Sequence, residues 1–113
     1  MHYDGLNYRI TTIADSAFYN SGITELQLPN SITRIGRWAM ADAFDLSSVT
    51  LPLKLEEVSR GMLAGTDITS VIIPEGVTHI DDSAFEDCNR LHSVFLPSTL
   101  LEVGDYAFDG CHS

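Results

Sequence analysis

Leu28-Pro29, Leu51-Pro52, Ile73-Pro74 and Leu96-Pro97 recur at spacings of 23, 22 and 23 residues. Two further columns keep the same period. One is Ala17-Phe18, Ala39-Met40, Met62-Leu63, Ala84-Phe85 and Ala107-Phe108; the other is Ile13, Ile35, Val58, Ile80 and Val103. Columns that recur together identify one small structural unit used repeatedly along the chain. A unit of this size cannot bury its own apolar face, so neighbouring units must stack and share a continuous core.

Each unit reads L-x-x-L-x-L-P-x-x-I-x-x-I-x-x-x-A-F and then turns. The openings are Ile23-Leu26-Leu28, Leu46-Val49-Leu51, Ile68-Val71-Ile73 and Leu91-Val94-Leu96. The L-x-L step has period 2, which places both side chains on one face of a strand. Proline, with no N–H and a fixed φ, ends that strand. The four openings are therefore expected to form one parallel sheet. The pairs Ile32/Ile35, Leu55/Val58, Val77/Ile80 and Leu100/Val103 suit either a short extended bend or one tight helical turn. The Ala-Phe step suits a helical turn, with Ala admitting a close backbone and Phe filling the core. The residue three places after Phe is always small: Ser21, Ala43, Thr66, Cys88 and Cys111.

Length and composition narrow the function. The 113 residues suit one domain, and 44% apolar residues are enough to build a core. No apolar run approaches the roughly 18–20 residues of a membrane span, so no membrane insertion is expected. A net charge of −10 repels phosphate backbones and anionic lipid, which makes nucleic acid a poor partner. Met1–Ile10 lacks a basic start followed by an apolar block, so it is not expected to be a signal peptide. Leu6, Tyr8 and Ile10 match the repeat poorly and are read as a degenerate N-terminal edge strand or cap. The chain stops at Ser113, just before the next Leu is due and with no polar cap. A fragment of a longer repeat region is expected, with self-association through uncapped ends as one consequence.

The fuller pattern L-P-x-x-(I/V)-x-x-I-x-x-x-A-F-x-x-C resembles the BspA-type leucine-rich repeats of bacterial and some protist surface proteins. Val94-Phe95-Leu96-Pro97 through Ala107-Phe108-Asp109-Gly110-Cys111 is the best copy, and the resemblance spans Ile10 to Cys111. It implies an α/β repeat solenoid over residues 1–113. That is a right-handed leucine-rich-repeat stack, with a short-stranded parallel sheet on one side and tight or short helical turns on the other. It also implies a cell-surface or secreted protein that binds proteins, on a host or a neighbouring cell. The usual leucine-rich-repeat Asn column falls on Ser31, Lys54, Gly76 and Thr99, so no amide ladder is expected. Met40, Met62 and Leu63 depart from the family's Ala or Phe, with Gly61 before Met62, and predict looser packing in those two repeats.

The partner-binding face is read from strand alternation. The outward columns are Glu25, Ser48, Ser70, Ser93 and Gln27, Thr50, Ile72, Phe95. Ile72 and Phe95 fall side by side with no core role. They form either a contact patch or simply strand-favouring side chains, or are covered by a missing segment or second copy. Cys88 and Cys111 share one repeat slot and read as small buried thiols rather than a redox or metal pair. His2, His79, His92 and His112 show no metal-ligand spacing. Repeat spacing offers the pairs Arg34–Glu57, His79–Glu102, Asp15–Arg37 and Arg60–Asp82. Asp81, Asp82, Glu86 and Asp87 read as a solvated acidic ridge, since a calcium loop is absent. Trp38 and Tyr106 fall just before Ala and are expected half-exposed on the outer ridge. No catalytic motif, cofactor or metal is expected. The expected function is non-catalytic protein binding or adhesion; the alternatives are a structural spacer or stalk, or an accessory module of a larger enzyme.

Overall fold

The computed structural model describes residues 11–111. The suggested edge strand around Leu6, Tyr8 and Ile10, with His2 and His112, lies outside the described residues. Eight short strands follow the repeat: β1 Thr12–Ile13, β2 Glu25–Gln27, β3 Arg34–Ile35, β4 Ser48–Thr50, β5 Ser70–Ile72, β6 His79–Ile80, β7 Ser93–Phe95 and β8 Glu102–Val103. The L-x-L openings form β2, β4, β5 and β7. A hydrogen-bonded turn follows each proline, with the N–H of Ile32, Leu55, Val77 and Leu100 donating to the carbonyls of Pro29, Pro52, Pro74 and Pro97 at 3.1–3.3 Å. Beyond it the chain is extended again, in β3, β6, β8 and the isolated bridge of Val58 to Ile80, and β1 occupies the equivalent place ahead of the first proline. The post-proline segment is thus extended rather than helical.

The Ala-Phe segment departs from the expected helical turn, and no helix occurs among the described residues. It is a chain of turns in which alternate amides bond in different directions. The N–H groups of Ala17, Tyr19 and Ser21 donate within the repeat, to the carbonyls of Ala14, Ser16 and Phe18. Those of Ser16, Phe18 and Asn20 donate to the next repeat, at Arg37, Ala39 and Ala41. The same scheme recurs from Trp38, Met40 and Asp42, from Gly61, Leu63 and Gly65, and from Ser83, Phe85 and Asp87. Aiming alternate amides outward requires left-handed backbone in two columns. Ser16, Trp38, Gly61, Ser83 and Tyr106 form one, with φ of 58–61°; Asn20, Asp42, Gly65, Asp87 and Gly110 form the other, with φ of 55–82°. A helix cannot accommodate these residues, which is the reason for the departure.

The front strands do not make one sheet. β2 pairs in parallel with β4, setting Leu26 beside Val49, and β5 pairs with β7, setting Val71 beside Val94. No ladder joins β4 to β5. The N–H of Leu28 donates to the Thr50 carbonyl at 3.3 Å and that of Ile73 to the Phe95 carbonyl at 2.9 Å, but Leu51 makes no equivalent bond. Both ladders span steps of 23 residues. The break falls at the 22-residue step, where the turn from Leu63 to Ile68 is one residue shorter than those leading into β4 and β7.

The core lies between these layers. Ile32, Leu46, Leu55, Val58, Ile68, Val77, Ile80 and Phe85 are fully buried. Phe85 stacks on Phe108 with ring centroids 5.2 Å apart and planes 3° from parallel. Met40, Met62 and Leu63 are also completely buried, against the expectation of looser middle repeats. Unbranched Met adapts to fill such a gap. Gly61 has its own reason: a Cβ there would overlap the Trp38 indole, which lies across it, and its φ is +61°.

Gly61→Ala should therefore lose about 2–4 kcal/mol, combining a left-handed alanine with an overpacked ring contact. Gly22→Ala, with nothing within 4 Å of the new methyl, should change stability by less than about 0.5 kcal/mol. Urea unfolding of both variants checks the contrast; equal effects would contradict it.

Candidate protein-binding face

The eight residues read as a binding face all stand on front strands. Glu25 and Gln27 sit opposite Ser48 and Thr50 across the first ladder; Ser70 and Ile72 sit opposite Ser93 and Phe95 across the second. Alternation explains their outward aim, because Leu26, Val49, Val71 and Val94 between them pack on the core. Ser93 is half-buried and the other seven are exposed. Ile72 and Phe95 are 68% and 60% exposed.

The ladder break divides this face. Between β4 and β5 it opens a cleft of about 450 Å³, lined by Ser48, Thr50, Ser70 and Ile72 with Ser47, Thr69, Val49, Leu51, Val71, Leu53 and Pro74. No charged side chain lines it. Leu53, 67% exposed, extends the apolar surface beside Ile72 and was not singled out from the sequence. Its signal was available: the residue after proline is polar in the other repeats, at Asn30, Glu75 and Ser98. These polar residues join repeats. Asn30 Oδ1 accepts from the Leu53 N–H at 3.1 Å, and the Glu75 carboxylate accepts from the N–H and hydroxyl of Ser98, each at 3.0 Å.

Charged side chains also bridge repeats. Arg60 meets Asp82 at 3.3 Å and His79 meets Glu102 at 3.4 Å, an ion pair only when His79 is protonated. Arg34 reaches Glu56 at 3.8 Å instead of the expected Glu57; no ladder joins β3 to Val58 to hold the expected register. Asp15 accepts from the Arg37 backbone N–H at 2.8 Å, and Asp82 likewise from Asp105 at 2.8 Å. Arg90 adds an unforeseen pair with Asp67 at 3.1 Å. Exposed pairs of this kind contribute roughly 0–1 kcal/mol each.

Cys88 and Cys111 are free thiols, Cys88 buried and Cys111 half-buried. Each donates to the ridge carbonyl of the preceding repeat, Cys88 to Leu63 at 3.1 Å and Cys111 to Phe85 at 3.2 Å. Burial pushes the Cys88 thiol up to about 11, a hydrogen bond with Thr66 opposing it only in part. Burial raises Cys111 as well. Among the described residues, no group of three or more His, Cys, Asp or Glu is placed to hold a metal ion. No helix there is long and apolar enough to cross a membrane.

Residues 7–113 match the BspA type leucine rich repeat region family in six copies, and the chain belongs to that family. Its structure is similar to a leucine rich cell surface protein from Faecalibacterium prausnitzii, with 27% identity and a TM-score of 0.89 over 95% of this chain and 29% of that one. It is also similar to a T. pallidum leucine rich repeat protein, with 27% identity and a TM-score of 0.80 over 96% of this chain and 51% of that one. A leucine-rich repeat protein from Bacteroides ovatus gives 25% identity and a TM-score of 0.69, over 98% of this chain and 35% of that one. The chain thus spans about a third to a half of the length of these proteins. No curated protein sequence matches it.

A raised thiol pKa fixes a direction for stability. The unfolded thiol ionises near pH 9 and the folded Cys88 thiol near 11, so stability is full below pH 9 and falls between about pH 9 and 11. Cys88 should account for about 2–3 kcal/mol of that loss. Comparing urea unfolding of wild type and Cys88→Ala at pH 8 and pH 11 isolates the contribution; parallel losses in both proteins would refute it.

Proposed function

We propose that this chain is a non-catalytic protein-binding region of an exported or cell-surface protein, a segment of a right-handed leucine-rich-repeat solenoid that meets its partner with the front strands. The supporting observation is the apolar surface of Leu53, Ile72 and Phe95, exposed at 67%, 68% and 60% beside an uncharged cleft. These side chains add little to the fold, since they face away from the core. An aliphatic and aromatic cluster ringed by Ser and Thr suits the centre of a protein interface, where a few large side chains carry most of the binding energy. The family and the cell-surface neighbour favour the same reading.

Phe95→Ala should lower partner affinity by about tenfold or more, as expected for a central apolar contact, while shifting the melting temperature by less than 2 °C on the order expected of an exposed substitution. The binding arm is a pull-down from extracellular-matrix and cell-surface extracts, with Phe95→Glu as the control. Retention of the same proteins by wild type and Phe95→Glu would exclude this face. Loss of folding in Phe95→Ala would show that the ring belongs to the core.

A further inference from the structure

A second concavity lies on the turn-chain side of the molecule, apart from the strand face. It is an open hollow of about 500 Å³, lined by Trp38, Phe44, Ala64, Gly65 and Thr66 together with Asp42, Asp67, Glu86, Asp87 and Asn89. Three successive repeats build it: the aromatic side chains come from one, the floor of Ala64 and Gly65 from the next, and Glu86 and Asp87 from the third. The core of the repeat requires neither aromatic side chain to stand exposed here. Phe44 stands where the other repeats carry Gly22, Asp67 and Asn89, and it is 64% exposed. Trp38 takes a left-handed position, φ +58°, that Ser16, Gly61, Ser83 and Tyr106 occupy elsewhere, and it remains 37% exposed. Phe44, which departs from its column, and Trp38, whose column is aromatic again at Tyr106, therefore converge on one hollow.

The charge of the hollow selects its occupant. Asp42, Asp67, Glu86 and Asp87 line it, with no Lys, Arg or His among the lining residues. Arg90 reaches Asp67 from outside the hollow and compensates one carboxylate. An aromatic face opposite several carboxylates attracts a cation through the ring quadrupole as well as through charge. A planar guanidinium can stack on a ring and present a donor fork to a carboxylate at the same time.

We propose that the Trp38–Phe44 hollow receives an arginine side chain presented by a protein partner. The arginine stacks against the exposed aromatic faces and donates to Asp42 and Glu86. The recognition is electrostatic and independent of the front-face apolar cluster, so the two surfaces allow one chain to hold a partner at two points.

Trp38 is the sole tryptophan of the chain, so its fluorescence reports on this hollow alone. The experiment titrates the protein with a blocked hexa-arginine peptide at low and physiological salt, with blocked hexaglutamate as the negative probe. A saturable change in Trp38 emission with arginine, and none with glutamate, is expected. Asp42→Asn combined with Glu86→Gln should weaken it at least tenfold. Glu57→Gln combined with Glu102→Gln removes the same charge elsewhere and should weaken it less than twofold. Equal weakening by both pairs would show general attraction to an acidic protein and overturn the proposal, as would an unchanged Trp38 signal. Should the Asp42 variant unfold, Glu86→Gln alone carries the comparison: no loss of affinity would contradict the site.

Discussion

Everything in the structure depends on backbone amides that bond to carbonyls one repeat away. On the ridge, the N–H groups of Phe18, Met40, Leu63 and Phe85 reach the carbonyls of Ala39, Met62, Ala84 and Ala107 at 2.7–2.9 Å. Buried backbone groups need partners, and a unit of 22 or 23 residues has too few of its own. Stacking meets that requirement and closes the core in one step. The side chains refine the fit: Phe85 on Phe108, the thiol of Cys88 on the Leu63 carbonyl, and the Asn30 amide on the Leu53 backbone.

Much of this was legible in the sequence, because periodicity constrains position. The columns at Leu26, Val49, Val71 and Val94 gave the front strands, and alternation gave their outward neighbours. The turn chain was harder to read. Ala-Phe at a tight corner fits helical chemistry as well as it fits alternating turns. The distinguishing signal was the column Asn20, Asp42, Gly65, Asp87 and Gly110, residue types that tolerate left-handed backbone. Trp38 and Tyr106 obscure the companion column, since neither is a residue expected at positive φ.

The front face shows the same division. Period 2 was enough to expose Ile72 and Phe95, but not to reveal that the face is split. The split follows from a turn one residue shorter before β5, a difference visible in the spacing whose consequence emerges only when strands are paired in space. Leu53 was hidden for another reason: it lies past the proline, outside the alternating segment, where the eye follows core positions. Departures from the repeat thus carry more information about the exposed surface than the repeat itself. Conforming residues are already committed to the fold, whereas Leu53 and Phe44 have no counterpart elsewhere in the chain's own pattern.

Residue-resolved hydrogen exchange tests the account most directly. If cross-repeat bonds unite the stack, the amides of Met40, Leu63 and Phe85 should exchange slowly and at a common rate set by global unfolding. The Leu51 amide, at the ladder break, should exchange at least about tenfold faster than the equivalent amides of Leu28 and Ile73. Rapid, unrelated exchange at the three ridge positions, or a Leu51 amide as protected as those of Leu28 and Ile73, would contradict it.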